Sequence, residues 1–441
     1  MRTIMATGTA IVVVVIGIIL ATSPRGVTPP HVPDGSFTAL VPPWPIFNVA
    51  VSINTFFVTL ARLTTPPDVA AIELATSWWK SEVMYGLGYN GIFEVLGAAA
   101  DGLTCQEVAT QLHLQDFVVC QYLNAGVELH VLAKKKATAA ASDETSSSSS
   151  STTTAYSYSL TSVGEMYLQE KLYSFLMMIN EEPQEAWRKV STEVIQSGQM
   201  SGWQARFGTD VWTYYKAHPA KNAQFDRAMA SLGPGPTGAM LLDWNPANFG
   251  HGEDATRNLT LCDIGGGFGH VLAHVLKHYP NMKGLILDQP ETAERANVYL
   301  KEQGVDDRVK AIGGSFFQPF PAQFSECDIF HLRFIIHDWS DPENIAILKN
   351  IKLAATASNN TPHTQKSVMI VDHVIDTGAS PAMEQSKRLM SINMVASNTY
   401  GSRERTVAEH GALFGAAGFQ GANNIKVTPL RTIQTLLEAE I

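Results

Sequence analysis

At 441 residues and 45% apolar content, the chain is long enough for two or three globular domains, each with its own core. A formal net charge of -10, with no basic run longer than Lys134-Lys135-Lys136, argues against a surface built for nucleic-acid phosphates. Four scattered cysteines (Cys105, Cys120, Cys262, Cys327) without a C-x-x-C pair predict free thiols in a reducing compartment rather than a disulfide frame.

The stretch from Ile4 to Ala21 carries no charge and is flanked by Arg2 and Arg25. It reads as a targeting segment: a membrane anchor that leaves the main body of the chain in the cytosol, or alternatively a cleaved signal. Pro24, Pro29, Pro30, Pro33, Pro42, Pro43 and Pro45 then make an extended linker, so residues 1–45 form a first section and ordered structure is expected from Ile46. Within 46–182, apolar residues recur helically from Asp68 to Leu96, predicting a pair of helices. Thr104 with Glu107 has the form of a helix cap, and Asp116 to Val127 predicts a further helix. A strand pair, Val127 to Ala133 with Tyr156 to Leu160, completes a winged-helix pattern. The Ala/Ser/Thr tract 137–155 between the two strands buries too little apolar surface to order itself and reads as a disordered loop tip. The helix from Asp116 carries no Lys or Arg, so a dimerising role is favoured over DNA reading. Residues 183–240 are helical and aromatic (Trp187, Trp203, Phe207, Trp212, Tyr214, Tyr215, Phe225), which suits core packing more than an aromatic-substrate lining.

From 241 to 441 strands alternate with helices, as in a doubly wound α/β sheet. The run Leu261 to Ile264 feeds Gly265, Gly267 and Gly269, then a helical pattern from Val271 to Tyr279. A second apolar run ends in Asp288. This strand-turn-helix-strand unit is a nucleoside-cofactor site, because glycines at the turn let a ligand lie against bare backbone. A dinucleotide fingerprint needs a third glycine where His270 stands. The pattern D-x-G-x-G-x-G, set by Asp263, Gly265, Gly267 and Gly269, resembles instead the first motif of S-adenosylmethionine-dependent methyltransferases. Asp288 is placed to accept hydrogen bonds from ribose hydroxyls in either class.

A further buried strand pattern, Ile329 to Ile336, delivers His337-Asp338-Trp339 to the same sheet rim, which makes His337 a candidate general base. His270, His274 and His278 recur every four residues, but no acidic or cysteine partner accompanies them, so a solvated helix face is preferred to a metal site. No metal is expected elsewhere.

The segment from His331 to Leu353, with His337-Asp338-Trp339-Ser340-Asp341, and then Gly401 to Thr406 and Gly418-Phe419, resembles the plant caffeic-acid and hydroxyindole type O-methyltransferases. The similarity runs from about Ala71 onward. It implies a winged-helix domain forming an intertwined homodimer and a Rossmann-like catalytic domain. It also implies S-adenosylmethionine as cofactor and a small aromatic hydroxyl-bearing substrate, phenolic or hydroxyindole. Carried over position by position, His337 matches the catalytic base, Glu404 a carboxylate flanking it, and Asp372 a second acid, usually Glu. Asp263, Gly265, Gly267, Gly269, Asp288 and Arg333 fall at cofactor positions. Ser315 stands where the family commonly has Asp for adenine recognition, and Phe316 is placed to pack on the adenine face. Asn393 and Met394 are candidates for the acceptor pocket. Two rival readings are a family member with different chemistry, such as hydroxylation or decarboxylation, and a non-catalytic dimeric binding protein.

Overall fold

In a computed structural model, residues 41–136, 155–244, 259–357, 366–378 and 380–441 are described. The apolar stretch 4–21, the linker up to residue 40 and the tract 137–154 lie outside the described residues. The chain divides into two compact units, one of Thr65–Leu232 and one joining the chain up to Thr64 with Gly233–Ile441. This partition departs from the breaks expected at 46, 183 and 241. The aromatic helices after 183 belong with the unit that starts at Thr65, and a helix preceding Thr65 belongs with the unit that holds the later strands.

In the first unit, helices Pro67–Ala75, Trp78–Tyr89 and Ile92–Ala98 occupy the region where two were expected. Next come β1 (Leu103–Thr104), helices Cys105–Leu112 and Asp116–Glu128, β2 (Leu132–Lys136) and β3 (Tyr156–Leu160). The strands form an antiparallel sheet in the order β1-β3-β2. Thr104 and Glu107 cap the first of these helices reciprocally: the Thr104 hydroxyl accepts the Glu107 N–H at 3.3 Å, and the Glu107 carboxylate accepts the Thr104 N–H at 2.7 Å. The wing starts at Leu132 rather than Val127, because the helix continues to Glu128 and its last apolar positions are used for packing. Leu87, Phe93, Leu96, Val108, Leu123 and Leu132 close the core. Farther on, fully buried Trp203 has the rings of Phe207, Tyr214 and Tyr215 at 4.8, 5.3 and 5.7 Å, so these aromatics form a core of their own.

The second unit carries β4 (Thr260–Ile264), β5 (Lys283–Asp288), β6 (Val309–Gly313), β7 (Ile329–Arg333), β8 (Ser367–Asp372), β9 (Lys426–Pro429) and β10 (Thr435–Glu440). Their order is β6-β5-β4-β7-β8-β10-β9, parallel from β6 to β8 and antiparallel at the β10-β9 edge. From β4 the chain first moves outward through β5 to β6 and then returns to β7 on the other flank. The reversal leaves a crevice beyond the carboxyl ends of β4 and β7, where ligands of such sheets bind. Strand residues such as Leu261, Ile264, Ile286, Phe330, Val368 and Ile370 are buried on both faces of the sheet.

All four cysteines pair, Cys105 with Cys120 and Cys262 with Cys327, at Cα separations of 5.1 and 5.8 Å. This corrects the expectation of free thiols and removes its argument for a reducing compartment. Separations of 15 and 65 residues hide both pairs in the sequence, yet Cys105 opens the helix packed on the one holding Cys120, and Cys262 lies in β4 beside the turn that leads into β7.

Among the described residues, helix Trp44–Thr64 is the one long and apolar enough to cross a membrane, with mean hydropathy 1.5 and no buried residue. Its ends are tethered to the sheet unit. The Trp44 indole donates to Asp243 Oδ1 at 2.9 Å, and Arg62 donates to Gln385 at 2.6 Å.

Candidate active site

The crevice has a backbone side and a side-chain side. On the backbone side, Gly265, Gly267 and Gly269 all adopt positive φ, at 78, 56 and 79°. A Cβ on Gly265 would sit 2.4 Å from Ile335 Cδ1, and one on Gly269 would sit 2.6 Å from Ile286 Cδ1. Gly267 faces open space, so the bare backbone available to a ligand is found there. Its N–H donates to Asp288 Oδ2 at 2.8 Å, and the Gln289 N–H donates to Oδ1 at 2.7 Å. The half-buried Asp288 carboxylate is thus fixed by backbone donors and keeps accepting capacity for hydroxyl groups. Phe316 lies near Gly265 and packs edge-on against Trp339 at 5.7 Å, whereas Ser315 is exposed and its hydroxyl accepts the Phe317 N–H at 3.3 Å. Asp263 sits differently from its sequence expectation. It is buried beneath the turn, with Oδ1 2.8 Å from His331 Nδ1 on β7, so it braces the turn from below. Arg333, at the end of β7, reaches His270 at 3.4 Å and lies over the Phe334 ring. Burial and the Arg333 guanidinium hold the His270 imidazole down to about 3, which keeps it neutral. The three-histidine stripe therefore does not act as a unit. His274 bonds the His270 carbonyl and His278 packs edge-on against Tyr279.

On the side-chain side, β7 ends at Arg333 and a single 3-10 turn, Ile336–Asp338, presents His337. Asn344 donates to the carbonyls of Ile336 and Trp339 at 2.8 and 2.9 Å, and the Arg405 guanidinium donates to the same two at 2.8 Å each. His337 is 6% exposed; its Nδ1 lies 2.8 Å from Glu404 Oε1 and its Nε2 lies 3.4 Å from Asp338 Oδ1. Burial pulls His337 down, but Glu404, Asp338 and Asp372 outweigh it and lift the imidazole to about 10. Burial resists ionisation of Glu404, yet His337 and His373 hold it down to about 2. Burial, with Asp372 and Glu404 nearby, raises Asp338 to about 7 even though His337 opposes the shift. Asp372 is buried and raised too, chiefly by burial. It makes no hydrogen bond to His337. Instead its Oδ1 accepts the Phe334 N–H at 2.9 Å, which supports Phe334 at a φ of 57° and so the turn that carries the histidine.

Residues 187–420 match the O-methyltransferase domain. The chain belongs to the O-methyltransferase domain family. It is 31% identical over 245 residues to phenazine O-methyltransferase of Lysobacter antibioticus and 26% identical over 254 residues to (RS)-norcoclaurine 6-O-methyltransferase of Thalictrum flavum subsp. glaucum. These matches cover 55 and 57% of this chain and 64% of each relative. In fold it is similar to human N-acetylserotonin methyltransferase, solved in complex with SAM (TM-score 0.69, 19% identity, 86% of this chain and 98% of that one). It is likewise similar to mitomycin 7-O-methyltransferase (TM-score 0.67, 19% identity, 87 and 99%).

Met394 is buried on helix Pro381–Ser397 and touches the site indirectly. Its sulfur lies 3.2 Å from Asn398 Nδ2, which donates to Asp338 at 2.6 Å. Asn393, half-buried, is directed to Met390 at 3.7 Å. His373, Phe334, Asn344, Asn398 and Arg405 were not singled out from the sequence. Of these, only His373 carries a usable signal: a histidine directly after an acidic residue at the end of a wholly apolar strand run. His337, His373 and Glu404 are the one group of metal-ligand residue types drawn together among the described residues, with donor atoms within 4.8 Å. Two of those separations, 2.8 and 3.3 Å, are already hydrogen bonds.

Proposed function

We propose that this chain transfers a methyl group from S-adenosylmethionine to a hydroxyl of a small aromatic acceptor, phenolic or hydroxyindole, with His337 as the general base. The observation that carries the reading is the His337–Glu404 pair at 2.8 Å, standing at the sheet rim that also bears Gly267 and Asp288. The names of the relatives, a phenazine and a norcoclaurine O-methyltransferase among them, support the acceptor class. The residues suit the cofactor: Asp288 for the ribose hydroxyls, Gly267 for close backbone approach, Phe316 for a ring face and Arg333 for an anionic group. When bound, the cofactor supplies a methyl group on a cationic sulfur with a neutral leaving thioether, so no Lewis acid is needed.

The protein's own part is proton handling and placement. Neutral His337 accepts the acceptor's hydroxyl proton at Nε2 while Glu404, ionised, holds Nδ1–H and stabilises the resulting imidazolium. Asp372 is hydrogen-bonded to the turn rather than to the ring, which it influences only through its charge. Asn398 fixes Asp338, and burial excludes water from the imidazole. His337→Ala is expected to lower turnover about 10² to 10⁴-fold while calorimetric cofactor affinity holds. Retained turnover would remove the base role, and a product lacking the added methyl mass would remove the reaction.

The exposed Ile72, Leu74, Trp78 and Trp79 support a homodimer built through the Thr65–Leu232 unit, which sedimentation at micromolar concentration tests against a monomer. Helix Trp44–Thr64, joined to the apolar stretch 4–21, supports membrane association. Failure to float with phosphatidylcholine vesicles would count against it.

A further inference from the structure

One carboxylate oxygen serves two histidines. Glu404 Oε1 lies 2.8 Å from His337 Nδ1 and 3.3 Å from His373 Nδ1, while Oε2 is buried without a hydrogen bond. An ionised carboxylate only accepts, so both Nδ1 atoms carry hydrogen and each imidazole presents its Nε2 elsewhere. His373 follows Asp372 at the end of β8 and is 6% exposed. The Phe334 ring ties the two together. It stacks on His337 at 5.3 Å and 10°, and meets His373 at 5.2 Å and 55°. The Glu404 backbone is held as well, its N–H donating to Ser391 at 3.2 Å.

We propose that His373 is a positioning residue for the base: its Nδ1–H takes part of the accepting capacity of Glu404 Oε1, fixes the carboxylate against His337, and limits how firmly Glu404 keeps a proton on His337. The inference rests on the reading of His337 as general base and adds the control of its proton. The physical argument is one of competition. A carboxylate oxygen with two N–H donors offers each less negative charge than it would offer one alone, so removing a donor strengthens the hold on the other. Other groups face the cluster from every side: Asp338 on the histidine's own turn, Asp372 on β8, Arg333 on β7, Arg405 beside Glu404, and His410 on helix Val407–Ala417. Lys387 of helix Pro381–Ser397 is directed to the Val374 carbonyl at 2.8 Å. None of these bonds Glu404 Oε1, so the second donor is supplied by His373.

Three substitutions separate this role from simple packing. His373→Leu removes the donor, whereas His373→Asn puts an N–H at the same bond distance from Cα as Nδ1. His373→Gln puts it one atom farther out, as at Nε2. In the full chain with isotope-labelled histidine, His337 is assigned by its disappearance in His337→Gln, and its titration is followed by NMR. H373L is expected to leave about tenfold less neutral His337 at a given pH, and turnover at pH 7 falls about tenfold and recovers as the pH rises. H373N restores both, and H373Q restores neither. An unmoved His337 titration in folded H373L overturns the proposal, as does an H373N that behaves like H373L. If H373L loses its cooperative melting transition, the H373N and H373Q pair carries the same decision. Because the titration needs no turnover, an active His337→Ala would sink the base reading while the NMR result still judged His373.

Discussion

The two sides of the crevice hold their chemistry in different materials. On the β4 side the functional groups are backbone: positive-φ glycines, N–H donors at Gly267 and Gln289, and one carboxylate they fix. On the β7–β8 side they are side chains converging from three distant segments, His337 and Glu404 being 67 positions apart and His373 and Glu404 31. Shape and hydrogen-bond placement decide the first side, which tolerates pH. The second depends on charge balance among buried groups and must respond to pH and to single charge changes.

Substitutions sharpen this contrast. Gly265→Val should cross the divide, because its Cβ would meet Ile335 at 2.4 Å on a backbone at φ 78° and so push on the turn carrying His337. Loss of both cofactor affinity and turnover, each more than about 100-fold, is expected from calorimetry and rate measurements, with a lowered melting temperature. An effect on affinity alone would show that the two sides are independent. Glu404→Gln should act on the side-chain side only. In the native protein Glu404 helps to keep His337 protonated up to about 10, so the neutral base accumulates only as the pH rises. Without that charge the acidic limb of kcat/KM moves to lower pH, and the plateau falls about 10 to 100-fold because the imidazolium loses its partner. A limb that stays in place would remove Glu404 from the proton balance. Asp288→Asn belongs to the other side: cofactor affinity should weaken about tenfold with the limb unmoved. Ser315→Asp is the mildest, restoring an acceptor common in the family and tightening cofactor binding about threefold or not at all, with no change in kcat.

The same contrast explains what was legible in the sequence. The glycine turn, Asp288 and the strand-helix alternation are local, and a hydrophobic period plus glycine spacing announces them. His337 was legible because a strand delivers it to the rim. Asp263 was not, since the D-x-G-x-G-x-G pattern says that the residue matters without saying that it points down to His331 instead of into the crevice. The wing strand slipped from Val127 to Leu132 because an apolar helix end and a strand start look alike over five residues. The disulfides and His373 depend on which segments become neighbours, information carried by the tertiary fold alone.

The tether at Arg431 has a consequence for biosynthesis. Arg431 pairs with Asp243 in a buried ion pair, donates to the Pro42 carbonyl at 3.0 Å and lies over Trp44, so the set of tethers on helix Trp44–Thr64 is complete only once residue 431 exists. The two ends of that hydrogen bond are 389 residues apart. At about 5–20 residues per second the ribosome needs roughly 20–80 s to make the intervening chain. Within that interval the 21-residue apolar helix precedes its last tether, while the unit Thr65–Leu232 is completed and free to fold first. Docking fixes where this helix sits without covering it, because none of its residues is buried even in the folded chain, so its apolar side chains stay available to a bilayer or a partner after synthesis ends.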